Sequence, residues 1–185
     1  MKTGTAVAVR VDLNCTESYS YQGRTGGVVM ATQCTLNHIL EMAIQKEIES
    51  QHLYSKLSGK VTDDAAKDVL RQLSQQEQRH KEILEQYQRG DLKAGALGQE
   101  QSIDYKIAEH FDQPQISPDM ELKDIFLLAA NREMSSHEFY LTLARLHPAG
   151  KAKRLLEELA SQELKHKHRV EDLYTQVAFP QTAGG

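Results

Sequence analysis

Four glutamates and two histidines are the residues of this sequence whose types and spacing could do chemistry: Glu47, Glu77, His80, Glu133, Glu163 and His166. Glu77 and His80 are three apart, as are Glu163 and His166, and residues three apart lie on one face of an α-helix. Carboxylate oxygen and imidazole nitrogen together suit iron and manganese, and ligand type alone does not separate the two. The chain also repeats itself. A shift of 86 residues, without a gap, carries Glu47 onto Glu133, Tyr54 onto Tyr140, Glu77 onto Glu163 and His80 onto His166. A third Glu-x-x-His, Glu49–His52, has no counterpart in the other half and reads as a solvated pair.

The elements that must position these groups follow from periodicity. Inward faces of bundle helices show apolar residues at alternating steps of three and four. Four such stripes are present: Leu40, Ala43, Glu47, Ser50, Tyr54, Leu57; then Ala66, Leu70, Leu73, Glu77, His80, Leu84, Tyr87; then Phe126, Ala129, Glu133, Ser136, Tyr140, Leu143; then Ala152, Leu156, Leu159, Glu163, His166, Val170, Leu173. Each is apolar except near its middle. Helices are therefore expected from Thr35 to Leu57, Asp63 to Gln88, Pro118 to Leu146, and from about Lys151 to Thr175. Thr62 is the expected N-cap of the second, and Ser117-Pro118 opens the third. Short turns close each hairpin, and a long connection over 90–118, with a short helix over Ile103–Phe111, joins the two. The fold expected is all-α, a four-helix bundle of two helical hairpins with one long crossover. Two copies complete it, whereas a solenoid needs at least three.

Four carboxylates converging inside a bundle are unstable by themselves. Taking one ion out of water costs several kcal/mol even after relaxation, and mutual repulsion adds to it. Two divalent cations would neutralise four carboxylates, and each imidazole would add one nitrogen ligand. The bland alternative is a buried polar layer with every carboxyl satisfied by hydrogen bonds.

At these residues the sequence resembles the rubrerythrin branch of the ferritin-like superfamily, through Glu47-(x6)-Tyr54, Ser74-x-x-Glu77-x-x-His80, Glu133-(x6)-Tyr140 and Ala160-x-x-Glu163-x-x-His166. The resemblance covers about residues 36–175. It implies a ferritin-like fold with two iron ions, or an iron–manganese pair, held by Glu47, Glu77, His80, Glu133, Glu163 and His166. It further implies that Glu77 and Glu163 bridge the ions and that Tyr54 and Tyr140 hydrogen-bond ligand carboxylates. Two departures matter. The rubredoxin module with its CxxC pairs is absent, since Cys15 and Cys34 stand alone, so electrons must come from an outside donor such as a rubredoxin-like protein. Where rubrerythrins carry an extra glutamate on the third helix, this chain has Ser136, flanked by His137 and Glu138. That ligand set looks closer to a bacterioferritin ferroxidase centre. His137 and Glu138, one step off the stripe, are expected in a solvated or interface role, and His38 and His168 on the surface.

The expected activity is ferrous oxidation coupled to reduction of hydrogen peroxide or oxygen, in a cytoplasmic homodimer. The alternative is non-catalytic iron storage, delivery or sensing. Net charge is −4, with 26% charged residues and no basic face, which excludes nucleic acid as a partner class. No apolar run is long enough to span a membrane. Residues 1–29 differ from the rest: Thr5–Val11 alternates small and β-branched residues, and Gly23-Arg24-Thr25-Gly26-Gly27 breaks any helix. This stretch is expected to be a flexible arm or short strand, ahead of a bundle over 30–176 and a disordered tail over 177–185. Met30 is a plausible alternative start.

Overall fold

A computed structural model describes residues 17–20, 29–32, 35–91, 106–117 and 120–179. Four long helices make the bundle: α1 (Leu36–Ser58), α2 (Asp64–Arg89), α3 (Leu122–Leu146) and α4 (Lys151–Ala178). Ahead of them, β1 (Glu17–Ser20) and β2 (Val29–Thr32) pair antiparallel, with Glu17 opposite Thr32. The expected strand at Thr5–Val11 lies outside the described residues. Among those described, no helix is long and apolar enough to cross a membrane.

Local chemistry sets the helix ends. Thr35 caps α1 by accepting from the His38 N–H. The cap of α2 is Asp63 rather than Thr62: its Oδ1 accepts from the Ala66 N–H at 2.7 Å. A carboxylate suits that place because it also meets the positive end of the helix dipole. Gly90, at φ 82°, ends α2 in the left-handed conformation that glycine adopts without a Cβ clash. The third helix starts at Leu122, later than the expected Ser117-Pro118 start, and α4 runs three residues past its expected end.

The four stripes turn inward as their spacing requires; only Tyr87, Ala152 and Leu173, near the ends, are half-exposed. The apolar core is split in two by the polar layer. One part gathers Leu57, Leu70, Leu73, Phe126 and Val170, and the other Leu40, Leu84, Leu143, Leu156 and Leu159. Within the first hairpin, Ser74 Oγ meets Ser55 Oγ at 3.0 Å, and the Gln51 side-chain amide donates to Gln78.

The crossover packs on the outer face of α3 and α4. Ile107 and Ala108 are buried there, and residues 125–131 of α3 are buried on every side. The short helix expected over 103–111 is reduced, in its described part, to one turn in which the His110 N–H meets the Ile107 carbonyl. A charge cluster fastens this turn, with Lys167 and Glu171 buried and Glu109 at the surface. Lys167 Nζ lies 2.9 Å from Glu109 Oε1 and 3.2 Å from Glu171 Oε1, and the Ala108 N–H donates to Glu171. His168, expected on the surface, is buried.

Candidate metal centre

Tyr54 pairs with Glu133 and Tyr140 with Glu47, so as residue number rises on α1 it falls on α3, and these helices run antiparallel. His80–Glu163 and His166–Glu77 show the same for α2 and α4. The duplication therefore becomes an approximate twofold in space, and contacts pass between hairpins. Each hairpin's tyrosine O–H donates to the other hairpin's glutamate. His80 Nδ1 lies 2.9 Å from Glu163 Oε1 and 3.6 Å from Glu47 Oε2. His166 Nδ1 lies 3.5 Å from both Glu77 Oε1 and Glu133 Oε2. The two rings stack, 5.3 Å apart and 9° from parallel.

All six expected residues meet in one layer, and all are buried. They form two overlapping groups, Glu47–Glu77–His80–Glu163 and Glu77–Glu133–Glu163–His166, with donor atoms within 4.8 Å of one another. Glu77 and Glu163 belong to both. Their four carboxylate oxygens, Oε2 of Glu47 and Glu133 and Nδ1 of both histidines make no well-formed hydrogen bond; several, Nδ1 of both histidines among them, touch one another as ion pairs. Buried polar atoms without partners are rare and costly. Here eight converge, which is not how a satisfied polar layer looks.

Electrostatics divides the carboxyls into two kinds. Burial pushes Glu77 well above the usual carboxylate range, and the charges of Glu133 and Glu47 push it further. Glu163 is raised likewise, by burial and by Glu77, Glu47 and Glu133. Burial also acts on Glu47, but its close contacts with Glu77 and His80, the His80 charge and the Tyr140 hydrogen bond outweigh it and hold the group at about 2. Glu133 is lowered against the same burial, by His166, Glu163 and Tyr54. Burial works against a charged His80, yet the charge and contact of Glu163, with Glu47 and Glu77, raise it well above its ordinary value. Tyr54 and Tyr140 are driven far up by burial and then by Glu133 and Glu47 respectively, so they stay protonated donors. A cation between Glu77 and Glu163 would replace the protons that these groups otherwise retain. Oxygen donors with one imidazole per group fit iron or manganese.

Two cations beside the centre were not anticipated from the stripes, although the 86-residue shift pairs them. Arg132 Nε donates to Ser50 Oγ at 2.8 Å, and its terminal nitrogen to the Lys46 carbonyl at 3.0 Å. Lys46 Nζ lies 5.4 Å from the Phe139 ring centre and 3.4 Å from Ser135 Oγ. Burial and the Arg132 charge lower the Lys46 ammonium to about 8. The remaining candidates stay off the centre. His137 is half-buried with Nδ1 2.7 Å from the Ala160 carbonyl, and Glu138 is exposed. His38 is half-buried beside Glu41, and His52 and Glu49 are exposed.

The family model for rubrerythrin matches residues 8–88, a span holding Glu47, Tyr54, Glu77 and His80. Among solved structures, a hypothetical protein from Pyrococcus furiosus is similar at a TM-score of 0.57 and 24% identity, over 78% of this chain and 90% of that one. That likeness is one of fold. No curated protein matches the chain.

Proposed function

We propose that this rubrerythrin-like chain holds two iron ions between Glu47, Glu77, His80, Glu133, Glu163 and His166 and couples their oxidation to reduction of hydrogen peroxide or oxygen. One observation carries the reading: eight buried ligand atoms without a well-formed hydrogen bond converge in two groups that share two glutamates. When bound, the iron pair supplies the two electrons that such a reduction needs. The chain's own groups supply the geometry. Glu77 and Glu163, common to both groups, would hold both ions, while Glu47 and Glu133 each serve one. Tyr54 and Tyr140 fix those outer carboxylates in one orientation and keep their phenolic protons. Leucine and alanine layers on either side of the centre exclude bulk water, which strengthens every charge interaction within it. His80 must lose its proton before Nδ1 can take a metal. In this reading a rubredoxin-like protein supplies the electrons that return the pair to the ferrous state.

Metal analysis after anaerobic loading, followed by peroxide or oxygen addition under stopped-flow near-ultraviolet detection, tests this. The expected result is two irons per chain, both oxidised by one equivalent of peroxide with uptake of two protons and release of two waters. A chain that retains less than one metal, or that shows no absorption change with either oxidant, overturns it. Manganese in place of half the iron would revise the metal and keep the site.

A further inference from the structure

Two phenols stand beside the centre at places where any hydrogen-bond donor would serve to orient a carboxylate. The Tyr54 O–H donates to Glu133 Oε1 and the Tyr140 O–H to Glu47 Oε1, so each phenolic oxygen is one hydrogen bond away from a metal-ligand candidate. The 86-residue shift makes the two equivalent. Neither residue has any exposure. Each ring sits in a different apolar core, Tyr54 with Leu57, Leu70 and Leu73, and Tyr140 with Leu84, Leu143 and Leu156. The chain has no Trp. Among the described residues, these two phenols are the oxidisable side chains in hydrogen-bond contact with the ligand set.

Electron count separates the two oxidants. Hydrogen peroxide takes two electrons on its way to water, and two ferrous ions supply both. Oxygen takes four. Resting on the di-iron reading, we propose that Tyr54 and Tyr140 supply the other two when oxygen is the oxidant, so that oxygen is reduced to water without release of peroxide. One oxygen molecule, two Fe²⁺, two phenols and two protons from solvent give two waters, two Fe³⁺ and two neutral phenoxyl radicals. In each tyrosine the O–H bond breaks. The electron goes to the centre, and the proton crosses the existing hydrogen bond to Glu133 or Glu47 and passes on to the reduced oxygen. Burial favours this route. Loss of the electron alone would leave an unpaired cation in an apolar core, which is costly. A carboxylate already in contact with the O–H takes the proton and leaves the ring neutral. The leucine surroundings then shield the radical from solvent and from other molecules. The outside donor that restores the irons restores the phenols too.

Wild type, Tyr54→Phe, Tyr140→Phe and the double variant are loaded anaerobically with iron, and metal content is determined for each. Each is mixed with oxygen or with one equivalent of hydrogen peroxide, frozen rapidly and read by electron paramagnetic resonance, and released peroxide is measured. With oxygen, wild type is expected to show an organic radical whose spectrum narrows in protein made with ring-deuterated tyrosine, and to release no peroxide. Each single variant should lose about half of the radical, since effects at separate sites add. The double variant should form none and release peroxide from the oxygen it consumes. With peroxide as oxidant, no radical is expected in any of the four. The deuterium narrowing is read on wild type and needs no variant to fold. Iron-loaded wild type that forms no tyrosine radical with oxygen, and releases as much peroxide as the double variant, overturns the proposal and leaves the metal reading standing. A radical that persists undiminished in the double variant, or that wild type forms equally with peroxide, overturns it as well. Wild type that takes up no iron overturns the metal reading itself, and this one with it.

Discussion

Replacing Glu77 by Gln removes one ionisable carboxyl from the centre while keeping its shape. Glu77 is fully buried, both its oxygens lack hydrogen-bond partners, and burial with the Glu133 and Glu47 charges raises its pKa well above the ordinary value. A group whose folded pKa is raised contributes stability fully below its unfolded value, about 4.3, and loses it as pH rises through the folded value. In metal-free protein, Glu77→Gln is therefore neutral near pH 4 and increasingly stabilising as pH rises. Neutral replacements of buried charges stabilise by about 1–4 kcal/mol in measured cases. A gain of about 2 kcal/mol corresponds to a melting temperature higher by about 4–8 °C for a chain of this size. With metal the sign reverses. Glu77 belongs to both donor groups, so each ion loses an oxygen ligand. A loss of affinity of about 100-fold at saturating metal removes about 2.7 kcal/mol of stabilisation per ion. Thermal unfolding at pH 8, with and without ferrous iron under anaerobic conditions, should place the variant above wild type without metal and below it with metal. A metal-free variant that melts lower than wild type at pH 8, by the 1–3 kcal/mol or so that a broken buried hydrogen bond costs, would refute the reasoning and restore the satisfied polar layer.

Loading the metal-free protein should release roughly two to three protons per chain near neutral pH, from Glu77, Glu163 and His80, and affinity should rise with pH; titration calorimetry in buffers of different ionisation enthalpy measures both. Tyr54→Phe frees Oε1 of Glu133 and should cost the metal-free protein about 1–3 kcal/mol by denaturant unfolding, with Tyr140→Phe matching it through Glu47. Lys167→Met leaves Glu171, fully buried, beside Glu109 without its cation and should destabilise by about 3–5 kcal/mol while metal stoichiometry stays at wild-type level.

The layer of ligand candidates was legible in the sequence because two regularities coincide there. Helical spacing assigns each residue a face, and the 86-residue repeat assigns matched depth, so Glu47, Glu77, His80, Glu133, Glu163 and His166 had to share one level wherever the stripes faced inward. The first is a property of a single helix and the second a comparison of two stretches of sequence, and neither needs a distance between elements. What lies between elements depends on distances that no spacing encodes. Which tyrosine serves which glutamate was decided only when antiparallel α1 and α3 brought Tyr54 to Glu133 and Tyr140 to Glu47. The twofold placement of Glu77 and Glu163 made them members of both groups and raised their pKa values above those of the outer pair. The crossover contributes to the burial of Lys167 and Glu171 by lying on a face of α4 whose pattern reads as polar. Periodicity says which side of a helix avoids water in a bundle; a segment arriving from elsewhere in the chain can cover the other side, and a polar face stays stable there when ion pairs and backbone donors, such as Glu109 and the Ala108 N–H, replace the water it loses.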